Sequence, residues 1–193
     1  MSRIVFIMMI CFLFVYQIEA EEKTSTPTKL DQKYQGGGIS FYYPREWVSW
    51  EKNSFDRMRD FAKSQQGMDL LVMLKENNET VVLQVGKQQN LLSFEKFFNE
   101  KKNFADYVTA KGAEYMGFRY TNYFVEAINL SNIGRTMLGY TERSDGSGAV
   151  TYQFLDSGFE YDFNFIYKIS SSSENAKNKQ IREMIISTVK LLR

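Results

Sequence analysis

The sequence predicts an α+β fold, a mostly antiparallel sheet of six to seven strands with helices packed on it. Three observations lead there. Phe159 to Lys168 reads as one long strand, with Phe159, Tyr161, Phe163, Phe165 and Tyr167 on one face and Glu160, Asp162, Asn164 and Lys168 on the other, interrupted by Ile166. Turn-forming residues at Ser131-Asn132, Ser144 to Gly148 and Asp156-Ser157-Gly158 divide the stretch from Thr121 to Lys168 into a four-strand meander. Helical segments do not alternate one for one with strands, so a doubly wound parallel sheet is not predicted.

The chain opens with the three parts of a secretory leader. Arg3 gives a positive start, Ile4 to Tyr16 is an unbroken apolar run, and small Ala20 stands at a cleavage point before Glu21. The run is thirteen residues long, short of the ~20 that span a bilayer as a helix. The expected mature protein is secreted or periplasmic, with no stable membrane span. Glu21 to Gln35 is polar and reads as a flexible linker, ended by Gly36-Gly37-Gly38. A single domain from residue 36 to 193 follows.

Ile39 to Tyr43 alternates as a strand that Pro44 stops. Phe55, Met58 and Phe61 have helical spacing within a helix from Ser54 to Gln66, closed by Gly67. Met68 to Leu74 and Thr80 to Lys87 form a hairpin around Glu76-Asn77-Asn78-Glu79. Ser93 caps a second helix whose apolar stripe is Phe94, Phe97, Phe98, Phe104, Tyr107 and Val108. The meander strands run Asn122 to Asn129, Arg135 to Arg143, Val150 to Leu155 and Phe159 to Lys168. Ser171 and Glu174 have capping-box spacing before a last helix that presents Ile181, Met184, Ile185, Thr188, Val189 and Leu192.

Composition removes several chemistries. The only cysteine is Cys11, inside the leader, and histidine is absent. The mature chain therefore has no disulfide, no thiolate and no imidazole, which excludes Ser-His-Asp and Cys-His catalysis. Loss of Arg3 and Glu19 with the leader takes the 24 basic and 23 acidic groups down by one each, so the net charge stays +1. No basic field favours nucleic acid. Ser157 sits between two strands and is no nucleophile elbow, and Gly36-Gly37-Gly38 precedes a strand instead of opening a phosphate-binding helix.

Two groups of residues remain as candidates. Asp156, Glu160 and Asp162 gather oxygen ligands of the kind Ca²⁺ or Mg²⁺ takes, or a carboxylate pair for hydrolysis. The plainer reading is that Glu160 and Asp162 solvate the polar face of their strand while Asp156 serves the turn. Tyr42, Trp50, Tyr120 and Tyr123 lie near strand ends, where aromatics with a polar tip suit a recognition surface. The alternative is that they fill the core, as is expected for Phe41, Tyr43 and Trp47. Asn78-Glu79-Thr80 and Asn129-Leu130-Ser131 match the N-glycosylation pattern.

Gly38-Ile-Ser-Phe-Tyr-Tyr-Pro44 followed by Trp47 resembles the opening of PsbP-like domains. So does Leu92-Ser-Phe-Glu-Lys-Phe-Phe98 at the mid-chain helix, and so does the closing run from Tyr161 through Ile186-Ser-Thr-Val-Lys-Leu191. The resemblance covers Gly38 to Arg193. It implies an α/β/α sandwich around an antiparallel sheet in a family whose members are generally non-enzymatic; no cofactor is expected. Photosynthetic members are extrinsic subunits that dock on photosystem II, and a nuclear relative of the same fold binds the GTPase Ran. Histidines linked to metal in some plant members have no counterpart here. The leading expectation is an exported, non-enzymatic accessory protein that docks on another envelope protein through a sheet face or strand-end aromatics. A divalent-cation protein or carboxylate hydrolase is the alternative, and a carrier with a ligand between a helix and the aromatic sheet face is another.

Overall fold

The computed structural model describes residues 29–76, 81–111, 114–115, 118–144, 146–168 and 172–192. The leader, Asn77 to Glu79, Asp145 and the Ser171 cap lie outside the described residues. Strands β3 (Val48–Ser49), β4 (Asp69–Lys75), β5 (Val81–Gln89), β6 (Glu114–Tyr115), β7 (Phe118–Leu130), β8 (Gly134–Arg143), β9 (Ser147–Asp156) and β10 (Phe159–Lys168) form one sheet in the order β3-β4-β5-β10-β9-β8-β7-β6. Every pairing in it is antiparallel. A small second sheet contains β1 (Leu30–Gly36), β2 (Ile39–Pro44) and β11 (Lys190–Leu191), with β2 central. Helices α1 (Lys52–Gln66), α2 (Phe94–Lys111) and α3 (Ser172–Ser187) complete the fold. This is the expected α+β architecture around an antiparallel sheet.

β10 sits in the middle and pairs with β5 on one side and β9 on the other over its whole length. Its aromatic side chains Tyr161, Phe163, Phe165 and Tyr167 are buried. They join Leu83, Val85, Tyr152 and Phe154 of the neighbouring strands in the main core. The small sheet covers that face with Ile39 and Phe41, and α3 covers it with Ile181, Ile185 and Ile186. Phe41 meets Phe163 edge-on at 5.3 Å, an arrangement aromatic pairs favour. α1 lies on the opposite face, where Met58 and Ala62 pack on Leu70 and Met73, and α2 lies there too.

The stretch expected as a linker to Gln35 is ordered strand from Leu30 onward. Gly36 pairs with Ile39, so Gly37 and Gly38 alone make the hairpin, with φ of +59° and +93°. Two successive positive φ values are what a tight hairpin of this hand needs, and glycine supplies them without steric cost. The single-residue alternation of Leu30 to Gly36 is weak because the strand is an edge, with Lys33 and Gln35 exposed.

Both long helices differ from expectation in one respect. On α2 the buried positions are Phe97, Lys101, Ala105 and Val108, while Tyr107 is 58% exposed. The stripe therefore runs at spacings of three and four through a lysine. α3 ends at Ser187, short of the expected face to Leu192: Thr188 caps the turn by donating to the Ile185 carbonyl, and the chain re-enters the small sheet at β11, leaving Leu192 exposed. Gly67 closes α1 as the sequence indicates, with φ of +68°.

A Cβ at Gly38 would stand 2.7 Å from the Tyr161 hydroxyl at a φ that side chains rarely adopt. Gly38→Ala should lower unfolding free energy by about 1–3 kcal/mol in urea titrations; an unchanged midpoint would show that the hairpin does not need this conformation.

Candidate functional site

The second face of β10 is not solvated. Glu160 is 1% exposed and Asp162 5%. α2 covers them, and its Lys101, buried to a similar degree, donates to Glu160 Oε1 at 3.4 Å. Lys101 is the one long flexible side chain among the buried positions of α2, and its ammonium, which reaches the sheet, also lies 5.2 Å from the centre of the Phe97 ring. Gln88 and Asn90, at the end of β5 and just beyond it, donate to Glu160 Oε2 at 2.7 and 2.9 Å. Gln153 on β9 lies opposite Asp162 in register and bridges the two carboxyls, donating to Glu160 Oε1 and to Asp162 Oδ2 at 2.9 Å each.

Glu160 therefore has both oxygens supplied with donors, whereas Asp162 Oδ1 is buried with no hydrogen-bond partner. One ammonium serves two carboxyls. Desolvation first, and then the neighbouring Glu160, push Asp162 up to about 7, against the lowering effects of Lys101 and Gln153. Burial likewise raises the Tyr123 hydroxyl above its ordinary range, with Tyr120 and Asp162 adding to it.

Chemically, this is a packed polar layer that can store a proton. Of the three carboxylates proposed from sequence, Glu160 and Asp162 converge. Asp156 stays at the β9–β10 turn, where the Ser157 hydroxyl donates to it at 3.0 Å. Among the described residues no group of three or more Asp or Glu side chains is placed to hold a metal ion.

Three of the four aromatic candidates are covered. Tyr120 is buried, Trp50 packs on the Met58–Met73 cluster, and Tyr123 is half-buried against Phe104 of α2. Tyr42 is 39% exposed. Among the exposed aromatics that the sequence reading missed, with Tyr107 on α2 and Phe159 at the start of β10, is Phe124. It stacks on Tyr140 of the neighbouring strand with centroids 5.4 Å apart and lies 44% exposed, on the aromatic face of the sheet. Register places Phe124 opposite Tyr140, Glu126 opposite Leu138 and Asn122 opposite Glu142. Tyr140 donates to Glu142 at 2.5 Å. Alternation in β7 could have flagged Phe124, but both of its faces are partly apolar. Between α3 and the aromatic face, Trp47, Phe165, Tyr167, Asn178 and Arg182 surround a hollow of 10 Å³, room for one water molecule.

The solution structure of cyanobacterial PsbP from Synechocystis superposes with a TM-score of 0.55 at 13% identity, over 90% of this chain and 98% of that one. The chain has the PsbP-like fold. Two further similar structures are LpqN of Mycobacterium tuberculosis, involved in cell envelope biogenesis (TM-score 0.47, 11% identity, 84% of this chain and 91% of that), and the Ran-binding protein Mog1p of Saccharomyces cerevisiae (0.46, 6%, 85% and 97%). No protein-family model matches the chain, and no curated protein matches it by sequence.

Two outcomes follow for the buried layer. The folded Asp162 carboxyl keeps its proton up to about pH 7, and the unfolded one releases it near pH 4. The folded state thus binds more protons across that window, and stability should fall by roughly 2–4 kcal/mol as pH rises through it. With no histidine in the chain, few other side chains titrate there. Asp162→Asn should flatten the slope in urea titrations from pH 4 to 8; parallel curves for parent and variant would refute it. Lys101→Met leaves two buried carboxyls without their cation and should cost about 3–5 kcal/mol at pH 8, with a smaller loss at pH 5, read by the same titrations.

Proposed function

We propose that this protein is an exported, non-enzymatic accessory protein that docks on another protein of the cell envelope. The observation that carries the reading is the stacked Phe124–Tyr140 pair, solvent-facing on a sheet whose other aromatics on that face are mostly buried. An exposed aromatic stack on a rigid strand pair offers contact area at little entropic cost, since the rings are already held in place. The leader-like first twenty residues support export, and the PsbP-like fold is one used by extrinsic, protein-interacting subunits. Among the described residues no helix is long and apolar enough to cross a membrane.

A carboxylate hydrolase would draw on Glu160 and Asp162. Their burial beneath α2 and the four donors that surround them favour a structural role: substrate would have to displace α2 to reach them.

Photo-crosslinking in the native cells tests the docking reading. A benzoylphenylalanine at position 124 should give one reproducible adduct that the same residue at position 179, exposed on α3, does not give. No adduct from position 124, or the same pattern from both positions, would overturn the proposal.

A further inference from the structure

We infer that the Phe124–Tyr140 face receives a basic segment of its protein partner, with an arginine or lysine side chain seated over the stacked rings between Glu126 and Glu142. The inference rests on the docking reading above and names the chemistry of the partner. The strand register brings four side chains to one face: Phe124 and Glu126 from β7, Tyr140 and Glu142 from β8. Glu126 is exposed, and the Glu142 carboxylate is fixed by the Tyr140 hydroxyl through one of its two oxygens. A ring face with carboxylates beside it attracts a cation twice over, through the quadrupole of the ring and through the opposite charge.

Elsewhere this chain fills the same arrangement with its own cations. Arg135 lies 4.4 Å over the ring of Phe94 while pairing with Glu95. Arg59 lies 5.7 Å over Phe55 and pairs with Asp56 at 3.0 Å. At Phe124 and Tyr140 the rings and both carboxylates are present, yet among the described residues no cation stands over either ring and neither Glu126 nor Glu142 is in an ion pair. Arg182, on the nearby helix α3, is turned to the Tyr152 hydroxyl, to which its Nε donates at 3.4 Å. Among the described residues the arrangement thus lacks only the positive group, which we assign to the partner.

Amide-resolved NMR titrations of the exported protein test this with three probes: acetyl-Gly-Arg-Gly-Arg-Gly-amide, the same peptide with glutamate for arginine, and maltotriose as an uncharged sugar that also stacks on aromatic rings. The arginine peptide should shift the amides around Phe124 and Tyr140, and added salt should weaken it. Glu126→Gln with Glu142→Gln should reduce its affinity about fivefold, and Phe124→Leu should do so by a similar factor. Phe124 and Glu126 are exposed, and glutamine at the half-buried position 142 keeps an acceptor for the Tyr140 hydroxyl, so both variants should leave the thermal midpoint nearly unchanged. Equal shifts from the glutamate peptide, shifts from maltotriose alone, or no shifts up to about 10 mM arginine peptide would overturn the inference. A position-124 crosslink with a silent arginine titration would overturn the basic chemistry and leave the docking face standing. Failure of both would remove both.

Discussion

Lys101 facing Glu160 and Asp162 is the interaction on which the rest of the molecule turns. β10 is the central strand, and it is buried on both faces. Its aromatic face needs only apolar cover, which the small sheet and α3 provide. Its acidic face could be covered only if something neutralised it, since an isolated buried carboxylate is far more costly than an exposed one. α2 supplies a single ammonium there, Gln88, Asn90 and Gln153 supply neutral donors, and the charge still left over is removed by a proton on Asp162. α2 is also held on β7, where Phe104 meets Tyr123 and the Thr109 hydroxyl donates to the Tyr123 carbonyl, but only the Lys101 layer lets it lie over the acidic face of β10.

That arrangement separates the polar chemistry of the chain from its contact surface. The buried carboxyls Glu160 and Asp162 lie beneath a helix. The exposed aromatic stack lies on the other face of the sheet, on strands continuous with the same hydrogen-bond ladder. A rigid ladder under Phe124 and Tyr140 keeps the two rings in register before any partner arrives, which is where the affinity of a small contact patch has to come from.

Much of this was legible in the sequence. The alternation of Phe159 to Lys168, interrupted at Ile166, marked this strand, its aromatic face and its meander neighbour β9, because apolar period and turn residues agreed; the pairing with β5 that makes it central is long-range and left no local signal. What the alternation could not say was that the polar face is also buried: Glu160 and Asp162 on a strand look the same whether water or a glutamine amide satisfies them. Lys101 was hidden for a related reason, since a lysine inside an apolar stripe reads as a break in the stripe, and Tyr107 was drawn into it instead. Leu30 to Gln35 read as part of a linker because an edge strand with one covered side carries little apolar signal. Phe124 escaped notice because β7 has apolar residues on both faces, and alternation alone does not say which of them is left uncovered.

Carboxyl-detected NMR of Asp162 across pH 3 to 9 tests the account most directly, because it reads the group on which the charge balance beneath α2 depends. A midpoint near 7, moving with Lys101→Met, is the result that the buried layer requires. A midpoint near 4, that of a carboxylate in water, would mean that the acidic face of β10 is solvated after all and that Lys101 does not hold α2 in place.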